Sequence, residues 1–313
     1  MRWIALTALA LIAVTIAVLV GPAHIPVADL WSSEILWDLR LPRAILGFLI
    51  GGALAVAGTG LQAVVRNPLA DPYLLGLSGG AGLGAVLAIA LRLPGPWALP
   101  LTAFAGALAA MALVYRMGLV GGSALDPRVL ILAGVAVGAF AAAITTAIVS
   151  LSDAAQLRNA LLWLWGGLSS ASWQTVLVVA LYLPLPLVIL FASARPLDLL
   201  ALGEEPAAYL GADVARLKRR VYAAASLLTA VAVAVSGVIG FVGLMVPHLC
   251  RMVWGQHHRA LLPAAFLGGG ILLVVADTVA RISVAPRELP VGIVTALIGV
   301  PVFAALLRRW TTA

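Results

Sequence analysis

Long apolar runs alternate with short polar breaks along the whole 313-residue chain. The runs fall near residues 3–20, 44–65, 74–91, 98–115, 129–150, 174–193, 221–236, 238–253, 261–280 and 290–307. Most approach the roughly 20 apolar residues that carry a helix across a bilayer. A helix satisfies its own backbone hydrogen bonds in lipid, and no stretch shows the period-two alternation of a membrane β-barrel strand. The pattern predicts an all-α polytopic membrane protein, a single domain over residues 1–313 with about ten spans. The pair 221–236 and 238–253 reads either as two spans or as one long helix kinked at Gly237 and Gly240.

Composition agrees. The chain is 63% hydrophobic and 10% charged, where a soluble domain carries about 25% charged residues. Its net charge of +7 does not point to nucleic acid, because the charges sit at the ends of apolar runs, where they set orientation. With ten spans, both termini share one side with Arg66, Arg116, Arg128, Arg195 and the basic run 216–220. Arg40, Arg43, Arg92, Arg158, Arg281 and Arg287 fall on the other. The excess makes the first side cytoplasmic, and a nine-span count would erase it. The first run reads as a span rather than a cleaved leader, since its core is long and no small-x-small site follows cleanly. Cys250 is the only cysteine, so no internal disulfide can form.

Two non-membrane segments stand out. Residues 21–43 form an external loop with acids and an "RLPR" end, whose Arg40 and Arg43 suit either carboxylate pairing or interfacial snorkelling. Residues 194–220 form the longest cytoplasmic segment. In it Leu197, Leu200 and Leu202 precede Glu204-Glu205, with Pro206 suited to a first helical turn. A second short helix is expected after Gly211, capped by Asp213. Such a pair is either a docking platform or an ordinary solvated loop. A weak repeat links "PRAILGFLIGGALAVAGTG" to "RRVYAAASLLTAVAVAVSGVIG", running in opposite directions across the membrane, as in many transporters.

Candidate chemistry is sparse. "GLSGG" at 76–80 fits a serine-nucleophile pattern, but its neighbours are membrane helices and only His248 could serve as base; close helix packing accounts for the glycines. His248, Cys250, His257 and His258 do not form a metal set, since His248 and Cys250 do not share a helix face. Asp277 is the one acid inside a run, with Arg281 four residues later on the same face, which predicts an intramembrane ion pair near the external end. No catalytic residue, metal site or bound cofactor is expected.

The stretch "RLPRAILGFLIGGALAVAGTGLQAVVRNPLADPYLLGLSGGAGLGAV" resembles the hallmark region of permease subunits of bacterial importers for vitamin B12, iron–siderophores and haem. So do "LLALGEEPAAYLGADVARLKRR", "SGVIGFVGLMVPHLCR", "HHRALLPAAFLGGGILLVVADTVAR" and "ELPVGIVTALIGVPVF". The resemblance covers nearly the whole chain, in order. It implies a ten-helix subunit of a type II ATP-binding-cassette importer in the bacterial inner membrane, with both termini cytoplasmic. It further implies a homodimer in membrane lipid, two cytoplasmic ATPase subunits that hold ATP-Mg, and a periplasmic binding protein. Residue by residue, it implies a cytoplasmic gate at Asn67, Pro68 and Leu69, with Leu69 plugging the axis and Asn67 bonding across it. It implies ATPase coupling through Leu202, Gly203, Glu204, Glu205, Leu210 and Gly211, and binding-protein docking at Arg40, Arg43 and Arg281. The fifth span would line the pathway, with Thr145 and Thr146 its polar groups. The chain has no G-x-x-x-x-G-K-[ST] motif, so it needs a separate ATPase. Haem is slightly favoured as cargo, because the pathway is apolar and nearly ion-free; cobalamin and ferric siderophore stay close. A proton-coupled secondary transporter and a serine hydrolase using Ser78 are the alternatives.

Overall fold

A computed structural model describes residues 1–23, 26, 32–120 and 124–311. Part of the expected 21–43 loop therefore lies outside the described residues. Helices dominate: α1 (Arg2–Leu19), α2 (Leu41–Val65), α3 (Leu77–Ala90), α4 (Ala98–Gly118), α5 (Pro127–Ser150), α6 (Ala154–Leu164), α7 (Trp173–Tyr182) and α8 (Pro184–Ala192). They continue with α9 (Ala194–Leu200), α10 (Glu204–Tyr209), α11 (Val214–Ser236), α12 (Val242–Trp254), α13 (His258–Ile282) and α14 (Val291–Thr311). A π-helical turn, Ile35–Arg40, leads into α2. Between α4 and α5, β1 (Leu119–Val120) and β2 (Ala124–Leu125) make a two-residue antiparallel ribbon. Seven segments are long and apolar enough to cross a membrane, α7 and α8 together making one of them; α3, α12 and residues 291–305 of α14 are shorter apolar helices. The chain is an all-α polytopic membrane protein.

Connectivity gives the bundle two ends. The proximal end carries residue 1, the turn after α2, the α4–α5 ribbon, α9–α10 and the α12–α13 turn. The distal end carries the α1–α2, α3–α4 and α5–α6 connections and residues 283–290. Between lipid-soaked helices burial of apolar surface supplies little drive, so association rests on close van der Waals fit and small residues. Gly51 of α2 and Gly269 of α13 meet backbone to backbone: a Cβ on either would overlap the other's carbonyl. A Cβ on Gly58 of α2 would overlap the Gly243 carbonyl of α12. Phe48 and Phe266 fill the flank of the α2–α13 contact edge-to-face at 6.0 Å. The two segments of the weak repeat become α2 and α11, which run antiparallel and are both largely buried.

The α11–α12 question resolves as a reversal. Gly237 at φ 66° and Phe241 at φ 69° turn the chain back, so α12 returns to the proximal end. Non-helical backbone at this depth must find partners. Gly167 N donates to Ser236 O at 2.8 Å, and Ile239 N donates to the Tyr73 hydroxyl at 3.3 Å. The partner loop follows α6, a helix the hydropathy pattern does not announce. Its start is a capping box: Asp153 accepts from Gln156 N at 2.8 Å while Gln156 Oε1 accepts from Asp153 N at 3.3 Å. That cap also holds the Asp153 carboxyl below its usual range, through the Gln156 amide first and Arg92 second.

Candidate functional site

The proximal turn after α2 is stiff because almost every polar group in it is used locally. Arg66 takes the left-handed conformation at φ 55° and ends α2. Asn67 Oδ1 accepts from Leu69 N at 2.9 Å, and Asp71 Oδ1 accepts from Tyr73 N at 2.8 Å, capping the short 3-10 turn Pro72–Leu75. Gln62 Nε2 donates to Ala70 O at 3.2 Å and Gly243 O at 3.2 Å, fastening the turn to α12. Pro68 and Pro72 lack N–H donors and restrict φ, which limits other foldings of the segment. Asn67, Pro68 and Leu69 are half-buried, and Leu74 beside them is exposed. The Asn67 carbonyl oxygen thus staples its own turn.

The segment expected to dock a partner is a compact hairpin of short helices. α9 ends at Leu200, Gly203 at φ 123° turns the chain, and α10 begins at Glu204. Leu202, Tyr209 and Leu210 project outward, Tyr209 being 91% exposed. The second short helix expected at Asp213 does not stand alone. Asp213 caps α11, accepting from Arg216 N at 2.9 Å, and that helix runs unbroken into the bundle. Glu204 is not a free acid either: Lys218 Nζ lies 2.6 Å from its Oε1. The same ammonium donates to Leu125 O at 3.2 Å. Lys218, 4% exposed, thus ties α10 to the ribbon that launches α5. Sequence reasoning passed over this residue, though its being the only lysine was a usable signal.

At the distal end the charged groups pair with one another. Arg43 donates to Asp277 through Nε and Nη2, the latter at 2.9 Å, and reaches Glu288 Oε2 with Nη1 at 2.8 Å. Arg281 Nε lies 3.2 Å from Asp277 Oδ2, near enough for charge pairing but misaligned for a hydrogen bond. Its Nη2 donates to Ala17 O at 2.8 Å. Arg40, 4% exposed, closes the end of α1 by donating to Leu19 O at 2.8 Å and to Ala23 O. Within the chain, all three guanidiniums expected to dock a binding protein already have partners. Arg40 and Arg281 are spent on α1 carbonyls, and Arg43 is saturated by two carboxylates, because an unpaired charge at this depth would be too costly.

On α5, Thr145 is buried in the bundle and Thr146 lies on an exposed face, its hydroxyl bonded back to Ala142 O at 2.9 Å. One step along a helix turns a side chain by about 100°, so the two threonines do not form a pair. The exposed face also carries Leu132, Val135 and Phe140. Ser78 lies in the first turn of α3, with a 3-10 turn rather than a strand before it. His258 Nδ1 lies 2.6 Å from Asp198 Oδ1, tying α13 to α9. Among the described residues no group of three or more His, Cys, Asp or Glu could hold a metal ion.

Tightly packed small-residue contacts, a stapled turn at one end and a protruding hairpin beside it define a polytopic helical membrane protein. The chain belongs to the FecCD transport family, whose model matches residues 9–309, a family of permease subunits of ATP-binding-cassette importers. It is 44% identical over 302 residues to the hemin transport system permease protein HmuU of Yersinia pestis, covering 92% of this chain and 90% of that one. It is 38% identical over 315 residues to the vitamin B12 import system permease protein BtuC of Salmonella arizonae, covering 98% and 94%. A solved metal-chelate type ABC transporter in an inward-facing conformation superposes with a TM-score of 0.88 at 31% identity, covering 97% of each chain.

Proposed function

We propose that this chain is the permease of an ATP-driven importer that moves a large metal chelate across the bacterial inner membrane, as a homodimer with two ATPase subunits and a binding protein. The observation that carries the reading is the family match over residues 9–309, together with the outward apolar hairpin of Leu202, Tyr209 and Leu210. The arginine excess at the proximal end supports a cytoplasmic assignment for it and for both termini. ATP-Mg belongs to the partner, since this chain lacks a phosphate-binding loop. Haem is the favoured cargo: the 44% identity is to a hemin permease, and the exposed α5 face is apolar. In this reading Leu202, Gly203, Glu204, Glu205, Leu210 and Gly211 form the coupling surface, with Glu204 held by Lys218. Asn67, Pro68 and Leu69 form the gate, Leu69 as the plug. A binding protein docking at the distal end must displace Glu288 or Asp277 from Arg43 to reach it.

Reconstitution with the cognate ATPase and binding protein tests this. ATP inside the vesicles should drive uptake of haem ahead of cobalamin or a ferric siderophore. Uptake abolished by a protonophore with ATP present would instead favour a proton-coupled carrier. The gate has its own test. Leu69→Cys in a Cys250→Ala background should cross-link between subunits in one nucleotide state, since a twofold axis brings equivalent residues together and a disulfide needs Cα atoms within about 7 Å. Absence of cross-links in every nucleotide state would make the turn a structural corner.

A further inference from the structure

Beside the stapled turn, at the proximal end, lies a cleft of about 660 Å³ lined by Gln62, Arg66, Asn67, His248, Arg251 and His258 among others. Three of its lining residues carry buried polar atoms with no partner: Gln62 Oε1, Arg251 Nη1 and His258 Nε2. His258 is only 5% exposed. The far sides of two of these groups are already fixed. Gln62 Nε2 is held by backbone carbonyls of the turn and α12, and His258 Nδ1 by Asp198. Their unpartnered atoms, buried in the wall of the cleft, are therefore held in place rather than free to turn elsewhere. No carboxylate comes within ion-pair distance of Arg251 or Arg66 among the described residues, so the cleft is cationic.

The depth of the cleft says what kind of anion fits. Trp3 and Trp254 meet in a tilted contact at 5.7 Å, one helical turn beyond Arg251, and paired tryptophans at helix ends mark the headgroup level of a bilayer. Leu249, Met252 and Val253 make an exposed apolar flank on the same stretch of α12. A cationic, hydrogen-bonding cleft next to an apolar flank matches an amphiphile with an anionic head. Arg251 Nη1 needs an acceptor, which a phosphodiester oxygen supplies in a charge-assisted bond. Gln62 Oε1 needs a donor, which a headgroup hydroxyl supplies.

We propose that this cleft is a binding site for an anionic phospholipid, its phosphate on Arg251 and Arg66 and a headgroup hydroxyl on Gln62. Basic pockets between membrane helices recognise acidic headgroups in this way. Because Gln62 also fastens the turn through Ala70, and Asn67 lines the cleft, the lipid would stabilise the turn in its present shape.

The test is native mass spectrometry of the full-length chain equilibrated in micelles doped with phosphatidylglycerol or phosphatidylcholine. Phosphatidylglycerol should be retained as a stoichiometric adduct and phosphatidylcholine lost. Arg251→Gln should weaken retention about tenfold, the worth of one charge-assisted hydrogen bond, while Arg251→Lys keeps most of it. Arg66→Asn removes the second charge at an exposed position whose left-handed backbone suits Asn, so it lowers retention without threatening the fold. Equal retention of the two lipids, or full retention in both the Arg251→Gln and Arg66→Asn proteins, would overturn the site. If millimolar inorganic phosphate raises the melting temperature of lipid-free protein and phosphatidylglycerol adds nothing to it, the ligand is free phosphate and the lipid assignment falls.

Discussion

Replacing Asp277 by Asn removes the one carboxylate that both Arg43 and Arg281 share. The substitution keeps size and some hydrogen bonding but leaves two buried cations facing each other. Deleting one member of a buried ion pair costs about 3–5 kcal/mol. The lower end applies here, because Arg43 keeps Glu288 at 2.8 Å and Arg281 keeps Ala17 O at 2.8 Å. Scaled by the 2–4 °C per kcal/mol of mid-sized domains, a loss of about 3 kcal/mol lowers the melting temperature by roughly 6 °C or more. The assay is thermal denaturation in detergent, extended to double-mutant cycles of Asp277→Leu with Arg43→Met and with Arg281→Met. The Arg43 cycle should show the larger coupling, since its hydrogen bonds are aligned and the Arg281 contact is not. A melting shift below about 1 °C, well short of that expectation, or a larger coupling to Arg281, would refute the argument that the network, rather than lipid or solvent, satisfies these charges.

Three further outcomes follow from single contacts. Lys218→Met frees Glu204 and releases Leu125 O, so amide exchange over residues 201–212 should rise while α13 stays protected; unchanged exchange would mean the pair holds nothing. Gly58→Ala puts a methyl into Gly243 O, forcing α2 and α12 apart at about 1–3 kcal/mol or more; an unaltered thermal melt would show that the contact yields freely. Asp153 is ionised more readily in the fold than in the open chain, so its stabilisation of α6 is present above the ordinary carboxylate range and fades as pH falls through its lowered value. Asp153→Asn, which still caps, should flatten the acid dependence of exchange in α6.

Most of the fold is readable from hydropathy, because in lipid a long apolar run has few alternatives to a helix. The break at Gly237 was visible as a glycine, but only packing against the loop after α6 makes it a reversal. α6 leaves no apolar signature, because it is short and amphipathic, although "SDAAQ" spells its capping box. Charge partners were the least legible. Asp277 and Arg281 are four apart and could be paired on paper, whereas Arg43 reaches Asp277 across 234 positions. The same distance effect hid the Lys218–Leu125 link. Arg40 and Arg281 also bond carbonyls at and just beyond the end of α1, a role that spacing cannot reveal.

Lys218 has one more consequence, for chemistry at the bench. It is the sole side-chain amine in the sequence and is 4% exposed, so an acylating reagent meets only the chain's N-terminal amine while the hairpin stays closed. Any motion that lifts α10 from α11 uncovers a second, unique nucleophile. Pulse acylation followed by mass spectrometry would then time that opening at a single atom, with no introduced label, and compare its rate between nucleotide states of the assembled transporter.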